Sequence, residues 1–148
     1  MKKLALLVFL LFPLHLHLHS ESLKDKNYGN IIVSEVVSIY DADTFRVNIK
    51  DWPDLLGYRI SIRLNGVDAP EMRGKCPKEK QLARQAKQIT VAFLRASNVI
   101  ELRNMRRGKY FRILADVYGD GKSLADHLIS KTGFVREYSG GSRAGWCD

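Results

Sequence analysis

Histidine is scarce in this sequence of 148 residues, and its scarcity excludes several kinds of catalytic site. Three of the four histidines, His15, His17 and His19, lie near the N-terminus, so the remainder of the chain contains only His127. Phosphodiester chemistry that needs two histidines is excluded, a Ser-His-Asp triad cannot be assembled, and zinc lacks its usual ligands. The position of His127 on a predicted amphipathic helix favours a surface role. An enzyme built from this sequence would use a carboxylate as its base.

Long apolar runs are also lacking, apart from one at the N-terminus. Two lysines precede an almost wholly apolar run over residues 4–14, and the small residues Ser20 and Ser22 follow. This layout predicts a signal peptide over residues 1–22, because the run of about 11 residues is shorter than the ~20 that span a bilayer. A retained anchor is the alternative. We expect an exported protein, secreted or periplasmic, with a monomeric mature domain over residues 23–148 that does not contact a membrane.

Cysteine is limited to Cys76 and Cys147. In an oxidising compartment such a pair predicts one disulfide, which would hold down the Gly/Ser-rich C-terminal tail that begins at Ser139. Two free thiols are the alternative, because the sequence does not reveal whether the two side chains can meet.

Acidic residues are fewer than basic ones, with 16 Asp and Glu against 24 Lys and Arg and a net charge of +8. Loss of the first 20 residues removes two lysines and no acid, so 22 basic and 16 acidic residues remain. A basic surface indicates a polyanionic partner, nucleic acid first, although charge alone would attract a membrane surface or a cell-wall polymer equally.

Short β-branched segments predict five strands, and two amphipathic segments predict helices. The segment 31–39 and the segment 44–49 form a hairpin around the polar turn Tyr40–Asp43, and residues 58–64 alternate, with one apolar face made by Ile60, Ile62 and Leu64. Two further strands, 99–103 and 112–118, are joined by a basic loop over residues 104–109.

The first predicted helix begins at Cys76-Pro77 and ends near Ala96, with an apolar face of Leu82, Ala86, Ile89 and Phe93. The second is capped by Ser123, runs to about Lys131 and is stopped by Gly133. Five strands that are too close together for βαβ crossovers, with a helix between strands three and four, predict a five-stranded antiparallel barrel of the OB-fold, in the α+β class.

Four carboxylates follow predicted strands: Asp41 and Asp43 precede strand two, and Asp68 and Glu71 follow strand three. Oxygen ligands of this kind suit a hard cation such as Ca²⁺ or Mg²⁺, and a spare carboxylate could act on water as a general base. Ordinary turn chemistry is the alternative explanation for such residues.

Two arginines begin or end predicted strands close to these turns. Arg63 lies five residues before Asp68, and Arg112 follows Lys109, Tyr110 and Phe111 directly. Paired guanidinium groups can neutralise the equatorial oxygens of a phosphate, as phosphoryl transfer requires. Taken singly, each arginine would more often be a solvated cation at a strand end.

Together these segments resemble the staphylococcal-nuclease-like (thermonuclease) family over roughly residues 31–138. The family's hallmark segments are Asp-Gly-Asp-Thr, Arg-Leu-x-Gly-x-Asp-x-Pro-Glu, and Lys-Tyr-Gly-Arg followed by Leu-Ala. Here they read Asp41-Ala-Asp-Thr44, Arg63-Leu-Asn-Gly-Val-Asp-Ala-Pro-Glu71 and Lys109-Tyr-Phe-Arg-Ile-Leu-Ala115, in the same order and with comparable spacing.

The resemblance implies a role for each matching residue, and a secreted nuclease that hydrolyses DNA and RNA without sequence preference at the 5′ oxygen. Asp43, Asp68 and the carbonyl of Ala69 would hold Ca²⁺, and Glu71 would orient or deprotonate water. Further contacts to phosphate would come from Arg63, Arg112, Lys109 and Tyr110. The alternative is an OB module that binds single-stranded nucleic acid through charge and stacking without cleaving it.

Two positions depart from the family pattern. Ala42 and Phe111 each replace a glycine. If either glycine needs a positive φ, its replacement is strained and the turn takes a different shape.

Overall fold

The computed structural model describes residues 26–147. The predicted signal peptide over residues 1–22 lies outside the described residues. Within residues 26–147 no helix combines the length and the apolar character needed to cross a membrane.

Nine strands and three helices make up the described part of the chain. The strands are β1 (Ile31–Ile32), β2 (Glu35–Ile39), β3 (Thr44–Asn48), β4 (Ile60–Leu64), β5 (Val67–Asp68), β6 (Ile100–Arg107), β7 (Ile113–Gly119), β8 (Lys122–Ser123) and β9 (Arg136–Glu137). The helices are α1 (Asp54–Gly57), α2 (Pro77–Ala96) and α3 (Leu124–Thr132).

The main sheet has the strand order β1-β6-β7-β4-β3-β2, with β8 paired to β7. The two ends of this order, β1 and β2, are separated in the chain by only Val33 and Ser34. The Val33 N–H donates to the Ile100 carbonyl of β6, and the Ser34 N–H donates to the Asn48 carbonyl of β3, both at 2.9 Å. The sheet therefore curls upon itself. The predicted OB-type fold of a β-barrel with helices is confirmed.

Three details of the predicted sheet need correction. The expected strand 31–39 is two strands, β1 and β2, because it bends to pair with both ends of the sheet. Not every pair is antiparallel, since β4 and β7 run parallel. The basic stretch 104–107 belongs to β6 rather than to a loop, because Met105 is buried and continues the apolar face of that strand past an irregularity at Asn104.

Alternation of side chains explains the core. Ile60, Ile62 and Leu64 on β4 all point inward as predicted, opposite the fully buried Phe45 and Val47 of β3. Leu124 and Leu128 of α3 pack into the same apolar cluster. The polar ends of β3 and β4 are thereby held at one end of a rigid barrel.

The two longer helices begin and end where predicted, although the buried face of α2 is shifted. The Cys76 side chain caps α2, Ser123 caps α3, and Gly133 ends α3 with a φ of +67°. Small and polar side chains of α2 lie closest to the barrel, while three of the predicted apolar residues, Leu82, Ile89 and Phe93, are only half-buried beside them. The buried set is Glu79, Ala83, Ala86, Thr90 and Leu94.

A disulfide joins Cys76 at the start of α2 to Cys147, which lies 71 positions later in sequence, with the two Cα atoms 5.8 Å apart. Closing a loop of this length removes entropy from the unfolded chain worth about 4 kcal/mol. Replacing both cysteines by serine, which keeps a helix-capping side chain at residue 76, should lower the free energy of unfolding by about that amount in urea titrations. Wild-type protein under reducing conditions should match the variant, and a loss below about 1 kcal/mol would contradict the estimate.

Candidate functional site

The turn between β2 and β3 buries two carboxylates, with Asp41 3% and Asp43 1% exposed. The Asp43 N–H donates to Asp41 Oδ1 at 3.3 Å, and its carbonyl accepts from the Leu64 N–H at 2.8 Å. The turn is also fixed from α2, because the buried hydroxyl of Thr90 donates to the Ala42 carbonyl at 2.7 Å. Both the barrel and α2 therefore fix the position of Asp43.

Arg63 lies beside Asp43 because β3 and β4 pair with Thr44 opposite Arg63. Arg63 Nη1 donates to Asp43 Oδ1, and the Thr44 hydroxyl donates to the same oxygen at 2.9 Å. Burial raises the pKa of Asp43 well above its usual range, the neighbouring charge of Asp41 raises this pKa further, and Arg63 offsets only part of the increase. A further positive charge beside Arg63 would therefore stabilise the ionised forms of Asp41 and Asp43.

Asp68 is the second buried carboxylate that the sequence predicted as a metal ligand. It lies on β5 opposite Arg136 of β9 and is 3% exposed. Its Oδ1 has no hydrogen-bond partner among residues 26–147, and Arg143 Nε lies 3.5 Å away. Burial raises the pKa of Asp68, and Arg143, Arg136 and Arg63 act in the opposite direction. A buried carboxylate oxygen without a donor is suited to accept a cation.

Glu71 lies in a loop that α2 holds in place. The buried Glu79 carboxylate accepts the Glu71 N–H at 3.3 Å and the Lys75 N–H at 2.9 Å. Gly74 allows this close approach, since a Cβ there would lie 2.4 Å from Glu79. The Glu71 side chain is 42% exposed and accepts from Arg143 Nη1 at 2.8 Å. A fixed backbone thus presents a carboxylate that solvent can reach.

The predicted carboxylates are linked by two arginines. Arg63 contacts Asp43, and its charge lowers the pKa of Asp68. Arg143 contacts both Asp68 and Glu71. All three carboxylates are therefore coupled through the two arginines, and we call this set of charged groups the acidic network.

The donor atoms of this network fit a hard cation. Asp43 and Asp68 offer carboxylate oxygens, one of them without a donor, and the buried Ala69 follows Asp68 directly with its backbone carbonyl. Ca²⁺ takes six to eight oxygen ligands, so water and substrate would have to supply the remainder. Within residues 26–147 the only cluster of three metal-ligating side chains is Cys76, Glu79 and Cys147, whose sulfurs are bonded to each other.

A cleft of about 920 Å³ begins at this network. In the part of the chain that the structure describes, six cations and no carboxylate line it: Arg63, Arg106, Arg107, Lys109, Arg112 and Arg143. The parallel pairing of β4 with β7 places Arg63 opposite Leu114, two residues after Arg112, and so brings the two predicted phosphate-binding arginines into one cleft. The cleft is suited to a polyanion.

Lys109 and Tyr110 belong to the turn over residues 109–111 that joins β6 to β7. Lys109 lines the cleft, whereas Tyr110 is 87% exposed and does not. The Arg112 guanidinium lies 5.6 Å from the centroid of the Tyr110 ring. Tyr110 thus lies beside Arg112 but outside the lining of the cleft.

The two departures from the family pattern have different consequences. Ala42 has no positive φ and is fully buried, so alanine fits its turn. Phe111 has a φ of +58° and follows Tyr110 at +56°, a left-handed conformation that costs a non-glycine residue roughly 1–2 kcal/mol. The Phe111 ring lies under Arg107 with 4.6 Å from guanidinium carbon to ring centroid, a contact that offsets part of this strain.

Three residues of the site were missed by sequence reasoning. Arg143 lies in the Gly/Ser-rich tail, where only the nearby Cys147 hinted at an ordered position. Thr90 and Glu79 interrupt the apolar face of α2, and polar residues on a buried helix face are a usable signal of partners inside. His127, by contrast, packs with its ring centroid 5.0 Å from that of Phe93.

Fold and site together define a small OB-type barrel with an acidic network at the end of a cationic cleft. A family model described as staphylococcal nuclease homologue matches residues 61–143, more than half of the 148-residue chain. The chain belongs to the staphylococcal nuclease homologue family, as the motifs predicted. Comparison with curated proteins gives no significant match. Membership indicates a nuclease or a nucleic-acid-binding protein, and the matched range contains every predicted site residue except Asp43 and Cys147.

Proposed function

We propose that this chain is an exported, monomeric, Ca²⁺-dependent nuclease that hydrolyses DNA and RNA without sequence preference. The observation that carries the proposal is the junction of the Asp43, Asp68 and Glu71 network with a cleft lined by six cations. At such a junction the cations can bind a phosphodiester, and a carboxylate beside them can act on the water that attacks its phosphorus.

In this mechanism the arginines bind the scissile phosphate. Arg63 and Arg112 face the same cleft, so their guanidinium groups can donate to the equatorial oxygens and stabilise the charge that grows there during attack. Lys109 and Tyr110 lie on the adjoining turn and would contact the neighbouring phosphate. Arg63 also keeps Asp43 in place.

Glu71 is the proposed general base. Its exposed carboxylate can orient a water and accept a proton from it as the water oxygen bonds to phosphorus. The bond from phosphorus to the 5′ oxygen then breaks, and that oxygen takes a proton from solvent to become a 5′-hydroxyl group. Asp43, Asp68 and the Ala69 carbonyl would hold Ca²⁺, which supplies charge neutralisation to the phosphate when bound. His127 takes no part, in agreement with its packing against Phe93.

Labelled DNA and RNA, each incubated with and without Ca²⁺, test this proposal. We expect cleavage of both substrates with Ca²⁺ and none in EDTA, because the two buried aspartates need their cation to organise the site. Mapping the product ends should give 5′-hydroxyl groups. Absence of cleavage with Ca²⁺ would contradict the enzyme assignment.

One observation favours the alternative of a binding module. A mainly apolar groove of about 320 Å³, with Tyr28, Trp52 and Phe111 in its walls, shares Arg106 and Arg107 with the cationic cleft. Aromatic rings beside cations are typical of surfaces that bind single-stranded nucleic acid. Tight oligonucleotide binding without any cleavage in the same assay would select this function.

A further inference from the structure

The last ten described residues form a C-terminal arm over residues 138–147 that is fixed at its far end by three contacts. Cys147 is bonded to Cys76. Trp146 is 8% exposed, and its ring N–H donates to the Phe134 carbonyl at 3.1 Å. Arg136 stacks on the Trp146 ring at 4.4 Å and donates to the Gly145 carbonyl at 2.8 Å. The end of the arm is therefore part of the folded domain.

The start of the arm is fixed as well. The Tyr138 N–H donates to the Gly66 carbonyl at 3.0 Å, and its hydroxyl donates to the Gly141 carbonyl at 2.8 Å. Gly140 and Gly141 have φ values of +113° and +92°, which reverse the chain in a way that other residues resist. Anchored at both ends, the arm holds Arg143 between the acidic network and the cleft.

Arg143, like Arg63, faces both the acidic network and the cleft. Its Nη1 donates to Glu71 Oε1 at 2.8 Å, its Nε lies 3.5 Å from Asp68 Oδ1, and its side chain, 39% exposed, lines the cleft with Arg63 and Arg112. The guanidinium fork matches phosphate as well as carboxylate, so a substrate phosphate in the cleft can take over the donors that Arg143 gives to Glu71.

We propose that Arg143 is a third phosphate-binding arginine of the cleft, presented by the C-terminal arm and kept there by the Cys76–Cys147 disulfide. Substrate phosphate competes with Glu71 for the guanidinium. When Arg143 turns to the phosphate, the Glu71 carboxylate loses its partner and is free to take up water, so substrate entry and activation of the base are coupled. The coupling rests on the proposed nuclease function, whereas phosphate binding by Arg143 does not.

The salt dependence of binding tests the contact directly. A fluorescent single-stranded oligonucleotide is titrated by anisotropy in EDTA, which prevents cleavage. Each phosphate contact contributes about 0.7 to the slope of log affinity against log salt for a single strand, so Arg143→Ala should lower the slope by that amount and weaken binding by about tenfold. Arg143→Lys should retain most of the slope. Arg84→Ala, an exposed α2 residue outside the cleft, is the matched control and should match wild type.

The role of the arm is tested by removing its anchor. Cys76→Ser/Cys147→Ser keeps Arg143 but loosens the arm, so KM for the oligonucleotide should rise and Arg143→Ala should cost less in this background than in wild type. Circular dichroism and urea titration establish that each variant is folded. Full additivity of the arm and arginine effects would refute the link between disulfide and Arg143.

Two outcomes would overturn the proposal in different ways. An unchanged salt slope together with an increased kcat in Arg143→Ala would mean that Arg143 only blocks Glu71 and does not bind phosphate. Unchanged slope and unchanged kinetics would leave the arginine a purely structural ion pair. If wild type fails to cleave but Arg143→Ala still lowers the slope, the nuclease function is wrong and phosphate binding by Arg143 stands.

Discussion

Replacing Glu71 by glutamine is expected to lower kcat by about 10²–10⁴-fold, the range that a general base contributes. Glutamine keeps the size of the side chain and an oxygen that accepts from Arg143, but it cannot take a proton. The Glu71 N–H still bonds to Glu79, so the loop keeps its position. KM should change little, because the substrate contacts of the arginines remain.

Steady-state cleavage of a fluorogenic oligonucleotide with Ca²⁺ measures this effect. Glu137→Gln, a change of the same kind at an exposed position on β9, is the control and should retain wild-type kcat. Full activity in Glu71→Gln would assign the base to another group. A loss of activity that excess Ca²⁺ restores would instead make Glu71 a metal ligand.

The local pattern was sufficient for most of the fold. Alternation in residues 58–64 defined β4 and its buried face, and Pro77, Ser123 and Gly133 marked helix ends because their effects act within one turn. The bend at residues 33–34 and the parallel pairing of β4 with β7 could not be predicted, because they depend on how distant strands close the sheet.

The residues of the site also fall into two groups, those that could be predicted from local sequence and those that could not. Asp43, Arg63, Asp68 and Glu71 lie in or next to the turns at the ends of β3, β4 and β5, and the charged composition of these turns allowed the four residues to be selected from the sequence. Arg143 could not, because its role arises from a disulfide and a stacked tryptophan that carry the tail back to residues more than 70 positions away. The bend at residues 33–34, the parallel strand pair and Arg143 therefore have one property in common: each depends on contacts between residues that are far apart in sequence.

Arg112→Ala and Arg63→Ala should both lower kcat by about 10²–10³-fold, the usual loss when one donor to a developing charge is removed. Their effects on stability should differ. Within residues 26–147 the Arg112 side chain donates only one long hydrogen bond, 3.4 Å from its Nε to the Lys109 carbonyl, so its removal should change the free energy of unfolding by less than about 0.5 kcal/mol. Arg63→Ala leaves the buried Asp43 beside Asp41 without its guanidinium and should cost about 3 kcal/mol.

Kinetics and urea unfolding of the same two preparations separate these effects. Arg112→Lys should recover part of the activity, because an ammonium group supplies the charge without the two-pronged geometry. Equal loss of stability in both alanine variants would contradict the buried role of Arg63, and unchanged kcat in Arg112→Ala would remove that residue from the phosphate site. Arg63 contributes to both stability and catalysis, so the loss of activity in Arg63→Ala has to be compared with that in Arg112→Ala. The Arg112 side chain contributes little to stability, and its loss of activity therefore reports catalysis alone.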